Sequence, residues 1–117
     1  MAYDEGLAER IELFFSDRPD VETRKMFGGL CFMVSGHMCC GIVRDSLMAR
    51  VGLDNYRSCL SKTHAREMDF TGKPMKGIIY VSPEGVAEDD DLAFWVEECL
   101  TFVMMLPPKK PKTRIGI

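Results

Sequence analysis

The stretch Arg24-Lys25-Met26-Phe27-Gly28-Gly29-Leu30-Cys31-Phe32-Met33-Val34 constrains this chain most, because it joins a glycine pair to a run apolar at every position. Two glycines ahead of a β run mark a tight bend or bulge at positive φ, where a side chain would be strained. Residues 21–26 form a short strand leading into the bend, and 30–34 form the next. A strand apolar on both faces needs cover on both, so the bend opens a sheet rather than a surface loop.

Ser35-Gly36-His37 separates that strand from an apolar run over 38–44, a hairpin signal. A two-residue turn at Ser35-Gly36 sets Val34 opposite His37 and Cys31 opposite Cys40. A second hairpin turning at Asp45-Ser46 pairs Arg44 with Leu47 and Ile42 with Ala49. By the period of two, Cys31, Met33, Met38, Cys40, Ile42, Leu47, Ala49 and Val51 share one face, expected to be the core side. Phe32, Val34, His37, Cys39, Val43, Met48 and Arg50 share the other. That second face is also fairly apolar and calls for partial cover by a helix, the tail or a second subunit.

Helical spacing of Leu7, Ile11, Phe14 and Phe15 predicts a first helix over 4–16, with Asp4 as N-cap and Pro19 just beyond its end. Leu53, Tyr56 and Leu60 predict a second over 53–63. Residues 65–74 have no clean period and contain Gly72 and Pro74, so they are expected to form a loop. Residues 76–82 form the last strand, stopped at Ser82-Pro83-Glu84-Gly85. The acidic run 88–91 then opens a final helix whose buried stripe is Leu92, Trp95, Val96, Cys99, Val103 and Leu106. Pro107-Pro108 ends it. The expected organisation is a single domain over 1–106 and a basic, proline-containing tail over 107–117.

Charge narrows the function classes. A net charge of -3 with 28% charged residues indicates neither a disordered chain nor a basic nucleic-acid surface on the domain as a whole. No apolar run approaches the ~20 residues needed to span a bilayer, so a cytoplasmic protein without membrane contact is expected. Five cysteines without a secretion signal are expected to be reduced thiols. Nine methionines suit irregular cores and adaptable contact surfaces.

The motif Arg24-Lys25-Met26-Phe27-Gly28-Gly29, followed by an apolar hairpin, resembles the Arg-x-Met-Phe-Gly-Gly signature of the N-terminal domain of TfoX/Sxy-type proteins, regulators of natural competence. Tyr80-Val81-Ser82-Pro83-Glu84 and the Asp-Asp-Leu-x-x-Trp pattern ending at Trp95 follow in the matching order, and the resemblance covers about 7–106. It implies an α+β fold with a mainly antiparallel sheet of about five strands flanked by helices, similar to secretion-chaperone-like folds, and no established enzymatic activity. The structural motif it carries over is Met26, Phe27, Gly28, Gly29 and Trp95. Two departures stand out. The first is an expected one: the chain is expected to be the N-terminal domain alone, without the helix-hairpin-helix-like domain of the longer regulators. Where relatives often have an aromatic-rich Pro-Phe segment, this chain has His64-Ala65-Arg66-Glu67-Met68-Asp69-Phe70.

No catalytic constellation is visible. Zinc would require about four converging ligands, commonly in Cys-x-x-Cys pairs, whereas Cys39 and Cys40 are expected on opposite faces of one strand. No metal and no cofactor are expected. Cys59 with His64 five residues on is a poor nucleophile pair. Cys31 and Cys40, as cross-strand neighbours, would suit redox sensing. Gly28-Gly29 lacks the spacing of a phosphate loop. Arg24 either fixes the glycine bend through carbonyls or a carboxylate, or contacts an anion or partner peptide. Arg24, Phe32 and Arg50 are the candidate binding residues.

Three function classes follow. The first is a non-enzymatic regulatory or adaptor domain that binds a protein, with a homodimer among the partners considered. The second is nucleic-acid association through Lys109, Lys110, Lys112 and Arg114, which would hold DNA only weakly and salt-sensitively. A third class, an uncharacterised enzyme or small-ligand binder, would be marked by a pocket lined by Arg24, His64 and Glu67.

Overall fold

A computed structural model describes residues 3–26, 28–68 and 76–107. The elements run α1 (Glu5–Phe14), β1 (Val21–Met26), β2 (Gly29–Val34), β3 (His37–Val43), β4 (Ser46–Arg50), α2 (Leu53–Leu60), β5 (Ala65–Glu67), β6 (Ile78–Val81) and α3 (Asp89–Met104). The six strands make one antiparallel sheet in the order β1-β2-β3-β4-β6-β5. The strand missing from the expected five is β5: Ala65-Arg66-Glu67 has little β propensity, and pairing with β6 holds it in place.

Each helix starts where its local chemistry permits. Asp4 caps α1, its Oδ1 accepting from the Leu7 N–H at 3.1 Å. The three aspartates in the first turn of α3 complement the positive end of its dipole. One of them, Asp89, accepts from Arg10 of α1 at 3.0 Å. Four of the five residues buried along α3 are Leu92, Trp95, Val96 and Val103, and burying such side chains stabilises the fold by roughly 1.5–3 kcal/mol each. Trp95 is a core residue, with Phe94 edge-on beside it at a centroid distance of 5.2 Å.

All buried helical side chains belong to one cluster, together with Leu30, Phe32, Val34, Cys40, Ile42, Leu47, Ala49, Ile79 and Val81 of the sheet. The three helices therefore lie on one face. On the other, Cys31, Met33, Met48 and Met68 form a second buried cluster, bordered by Met26, Met38, Val43, Ile78 and Tyr80.

This arrangement corrects the expected faces of β2. Val34 does stand opposite His37, and Met33 opposite Met38, but Phe32 stands opposite Cys40 and Cys31 opposite Gly41. Cys39 is the extra residue of a β-bulge, and one inserted residue reverses the parity of everything beyond it. Phe32 and Leu30 consequently face the helices, while Cys31 and Met33 join the methionine face. The bulge also directs Cys39 into the same buried cluster as Cys40, so these two thiols do not point to opposite faces. Cys31 and Cys40 are not cross-strand neighbours.

The second hairpin turns one residue earlier than expected, at Arg44-Asp45, with Val43 opposite Ser46 and Ile42 opposite Leu47. Arg44 adopts φ 59°, and its carbonyl accepts from the Asp4 N–H at 2.6 Å, tying the start of α1 to this turn. The glycine pair divides its tasks. Gly28 supplies the positive φ, 75°, of the turn between β1 and β2. Gly29 has no such φ, but a Cβ there would collide with the Ile42 carbonyl, so the close approach of β3 requires it.

Candidate functional site

The described surface offers one cationic recess on the β4–β6 side of the sheet. Its walls are Met38, Arg50, Gly52, Leu53, Lys76, Gly77, Ile78 and Phe102, enclosing an open cleft of about 440 Å³. Two glycines build its floor: Gly52 and Gly77 both hold φ near +90°, and the Gly77 carbonyl accepts from the N–H groups of Val51 and Gly52 at 2.9 and 3.1 Å. Sharp backbone here brings the end of β4, the start of α2 and the entry to β6 together. A Cβ on Gly52 would strike the Phe102 ring, so that glycine also seats α3 against the cleft.

Arg50 is positioned from two sides. Its Nη1 donates to the Met38 carbonyl at 3.2 Å, and its guanidinium carbon lies 5.3 Å from the Phe102 ring centroid. Among the described residues no carboxylate pairs with it, and none lines the cleft. Lys76 adds a second cation to the lining. The first turn of α2 receives no side-chain cap from Gly52, and Asp54 is the acidic residue that complements its positive end. Leu53, 69% exposed, supplies an apolar lip.

A second cleft adjoins this one and shares Leu53 and Lys76; Tyr56, Arg57 and Glu67 lie along it. The Tyr56 hydroxyl is buried and has no hydrogen-bond partner among the described residues. Burial and the nearby Glu67 charge push its pKa above the ordinary 10.0. An unpaired buried hydroxyl costs about 1–3 kcal/mol, which singles out this wall for explanation.

The candidate binding residues named from sequence separate widely. Arg50 is in the cleft. Phe32 is 1% exposed, packed on Phe15 at 5.8 Å, and the parity change removes it from any contact surface. Arg24 lies on the edge strand β1, its side chain 55% exposed and 3.9 Å from Glu22 Oε1, and among the described residues it makes no contact that braces the glycine bend. β1 and β5 are opposite edges of six strands, roughly 24 Å apart at about 4.8 Å per strand. Arg24 and Glu67 therefore cannot line one pocket. Met26 is partly buried at the end of β1. Phe27 and the tail cations Lys109, Lys110, Lys112 and Arg114 lie outside the described residues. Lys76 and Tyr56 were missed as site residues, since each becomes distinctive only through folding: one comes to line the same cleft as Arg50, the other is buried without a hydrogen-bond partner among the described residues.

His37 is buried at the start of β3, its Nε2 2.6 Å from the Pro107 carbonyl beyond α3. His64 holds φ 75°, and its carbonyl accepts from Ser82. Neither faces a cysteine pair suited to catalysis. Burial pushes the Cys31 thiol up to about 11. A hydrogen bond with the Cys39 thiol and burial push Cys40 well up, and burial does the same for Cys99. All five thiols are free and buried. Among the described residues no trio of His, Cys, Asp or Glu is placed to hold a metal, and no helix is long and apolar enough to cross a membrane.

One family model, the TfoX N-terminal domain, matches residues 13–103 of the 117. The chain belongs to the TfoX N-terminal domain family. No curated protein and no solved structure matches it. The TfoX match spans β1 through nearly all of α3, so both clefts, the methionine face and the glycine turn are inside the family domain.

Proposed function

We propose that this TfoX N-terminal domain is a non-enzymatic regulatory or adaptor module that binds a protein segment of acidic and apolar character in the Arg50 cleft. The observation that carries this reading is the pairing of two cations, Arg50 and Lys76, with the apolar Met38, Leu53, Ile78 and Phe102 in a recess where, among the described residues, no carboxylate lines the wall. A carboxylate entering there would meet an arginine already oriented by Phe102 and the Met38 carbonyl, which lowers the ordering cost of binding. An apolar neighbour on the same segment would cover Leu53. The family relationship supports a role in the regulation of competence or transcription, carried out in the cytoplasm. The buried, protonated thiols support a binding role over a nucleophilic one, since thiolate is the reactive form.

The regulatory reading is tested by transcript profiles of a strain lacking this chain, complemented with the wild type or with Arg50→Glu at matched protein levels. Restoration by the wild type and failure by Arg50→Glu are expected. Equal restoration by both would remove the cleft from the function, and no transcript change on deletion would remove the regulatory role.

A further inference from the structure

From the pattern of strand β1 we infer that two copies of this chain pair edge to edge, antiparallel, about a two-fold axis at Thr23. This goes beyond the cleft reading and involves a different part of the molecule.

Four observations carry it. First, β1 ends the sheet order and is the longer edge, six residues against three for β5. Its four central residues, Glu22 to Lys25, are all exposed, so the outer side of the ladder is uncovered. Second, the backbone groups on that side can be identified. The Ser35 N–H donates to the Asp20 carbonyl at 2.9 Å, which makes Asp20 and Ser35 a hydrogen-bonded position of the β1–β2 ladder. Alternation then turns Glu22, Arg24 and Met26 inward to β2, and turns the N–H and C=O groups of Val21, Thr23 and Lys25 outward. No hydrogen bond among the described residues occupies these outward groups.

Third, only some two-fold registers satisfy that alternation, and charge selects among them. Placing Thr23 against the partner's Thr23 sets Val21 against the partner's Lys25, with both positions hydrogen-bonded. Glu22 then stands opposite the partner's Arg24, twice by symmetry, at the non-hydrogen-bonded positions where side chains approach most closely. A shift of one residue in each strand, centred on Glu22 or on Arg24, sets like charges face to face. The strand Val21-Glu22-Thr23-Arg24-Lys25 is thus self-complementary in one register.

Fourth, the neighbouring helix layer offers apolar surface. Phe15 rests on Phe32, whose ladder partner is Thr23, and the adjacent Leu13 and Phe14 at the end of α1 are exposed. A two-fold axis perpendicular to the sheet puts both helix layers on the same side. The product is a continuous twelve-stranded sheet, and it removes the free edge that otherwise invites uncontrolled pairing.

Sedimentation velocity on the full chain tests this. The wild type is expected to be a reversible dimer, and Glu22→Arg to weaken it at least tenfold. Combining Glu22→Arg with Arg24→Glu restores opposite charges in the same register and should restore dimerisation. Both positions are exposed, and unchanged circular dichroism would show that the variants fold. Register is read separately by Thr23→Cys under mild oxidation. Cysteines at the axis lie roughly 5.5 Å apart between Cα atoms, within disulfide range, and should cross-link rapidly, while Arg24→Cys should not. The native thiols are buried and contribute no background. A wild type that stays monomeric at every attainable concentration would overturn the inference. So would a dimer indifferent to Glu22→Arg, or cross-linking at position 24 in preference to 23.

Discussion

Arg50 lies over the Phe102 ring, its guanidinium carbon 5.3 Å from the centroid, while its Nη1 donates to the Met38 carbonyl at 3.2 Å. One side chain therefore joins β3, β4 and α3 at the rim of the cleft. Replacement by methionine keeps the apolar stem but loses the hydrogen bond and the cation–π contact, and should cost about 1–2 kcal/mol by urea unfolding. Arg50→Lys keeps the charge, and should recover part of that stability without the donor geometry of the planar fork. Equal stability of all three proteins would show that Arg50 plays no part in the packing of α3.

The two glycines after Phe27 should respond differently to alanine. At Gly28 there is open space around a φ of 75°, so Gly28→Ala pays backbone strain alone, about 1–2 kcal/mol. At Gly29 the added Cβ meets the Ile42 backbone carbonyl, which cannot move without parting β2 from β3. Gly29→Ala is expected to be the more damaging, by 1 kcal/mol or more on the scale of overpacked interiors (about 1–3 kcal/mol). Comparison of urea midpoints decides the order.

Stability should fall as pH rises above the ordinary thiol value of 9.0. Below it Cys31 is protonated in both the folded and the unfolded chain and adds no pH dependence. Between 9.0 and about 11 the unfolded chain has released a proton that the folded chain retains, so unfolding becomes easier with each step in pH. Cys40, Cys59 and Cys99 are displaced in the same direction and add to the slope. Urea midpoints at stepped pH across that window should decline, and Cys31→Ala should flatten the decline.

Tyr56→Phe removes a buried hydroxyl that lacks a partner among the described residues. Loss of an unpaired polar group without loss of ring volume should leave stability unchanged or raise it by up to about 1 kcal/mol. A clear destabilisation, measured by thermal or urea unfolding, would mean that the hydroxyl is satisfied in solution.

The parts of the fold legible from sequence are those set by local chemistry. Asp4 before an apolar period, three aspartates before Leu92 and Trp95, and the glycine turn after Met26 each act within a few residues, and each appears where expected. The bulge at Cys39 was not legible, because two adjacent small apolar residues fit a strand equally well with or without an insertion. That single residue decided whether Phe32 or Cys31 faced the helices. β5 was hidden for a different reason: Ala65-Arg66-Glu67 becomes a strand through its partner β6. Of the candidate site, Arg50 was legible as a charge on an apolar strand, whereas Lys76 and Tyr56 gain their significance from elements brought together only by the glycines at 52 and 77.

Photo-crosslinking in living cells tests the central claim most directly. A crosslinking amino acid at Leu53, on the lip of the Arg50 cleft, should capture a discrete protein, and the adduct should disappear when Arg50→Glu is added while the chain stays folded. Mass spectrometry of the adduct should place the crosslink in an acidic segment bearing an apolar residue. An adduct that persists with Arg50→Glu, or a crosslink in a basic segment, would contradict the account.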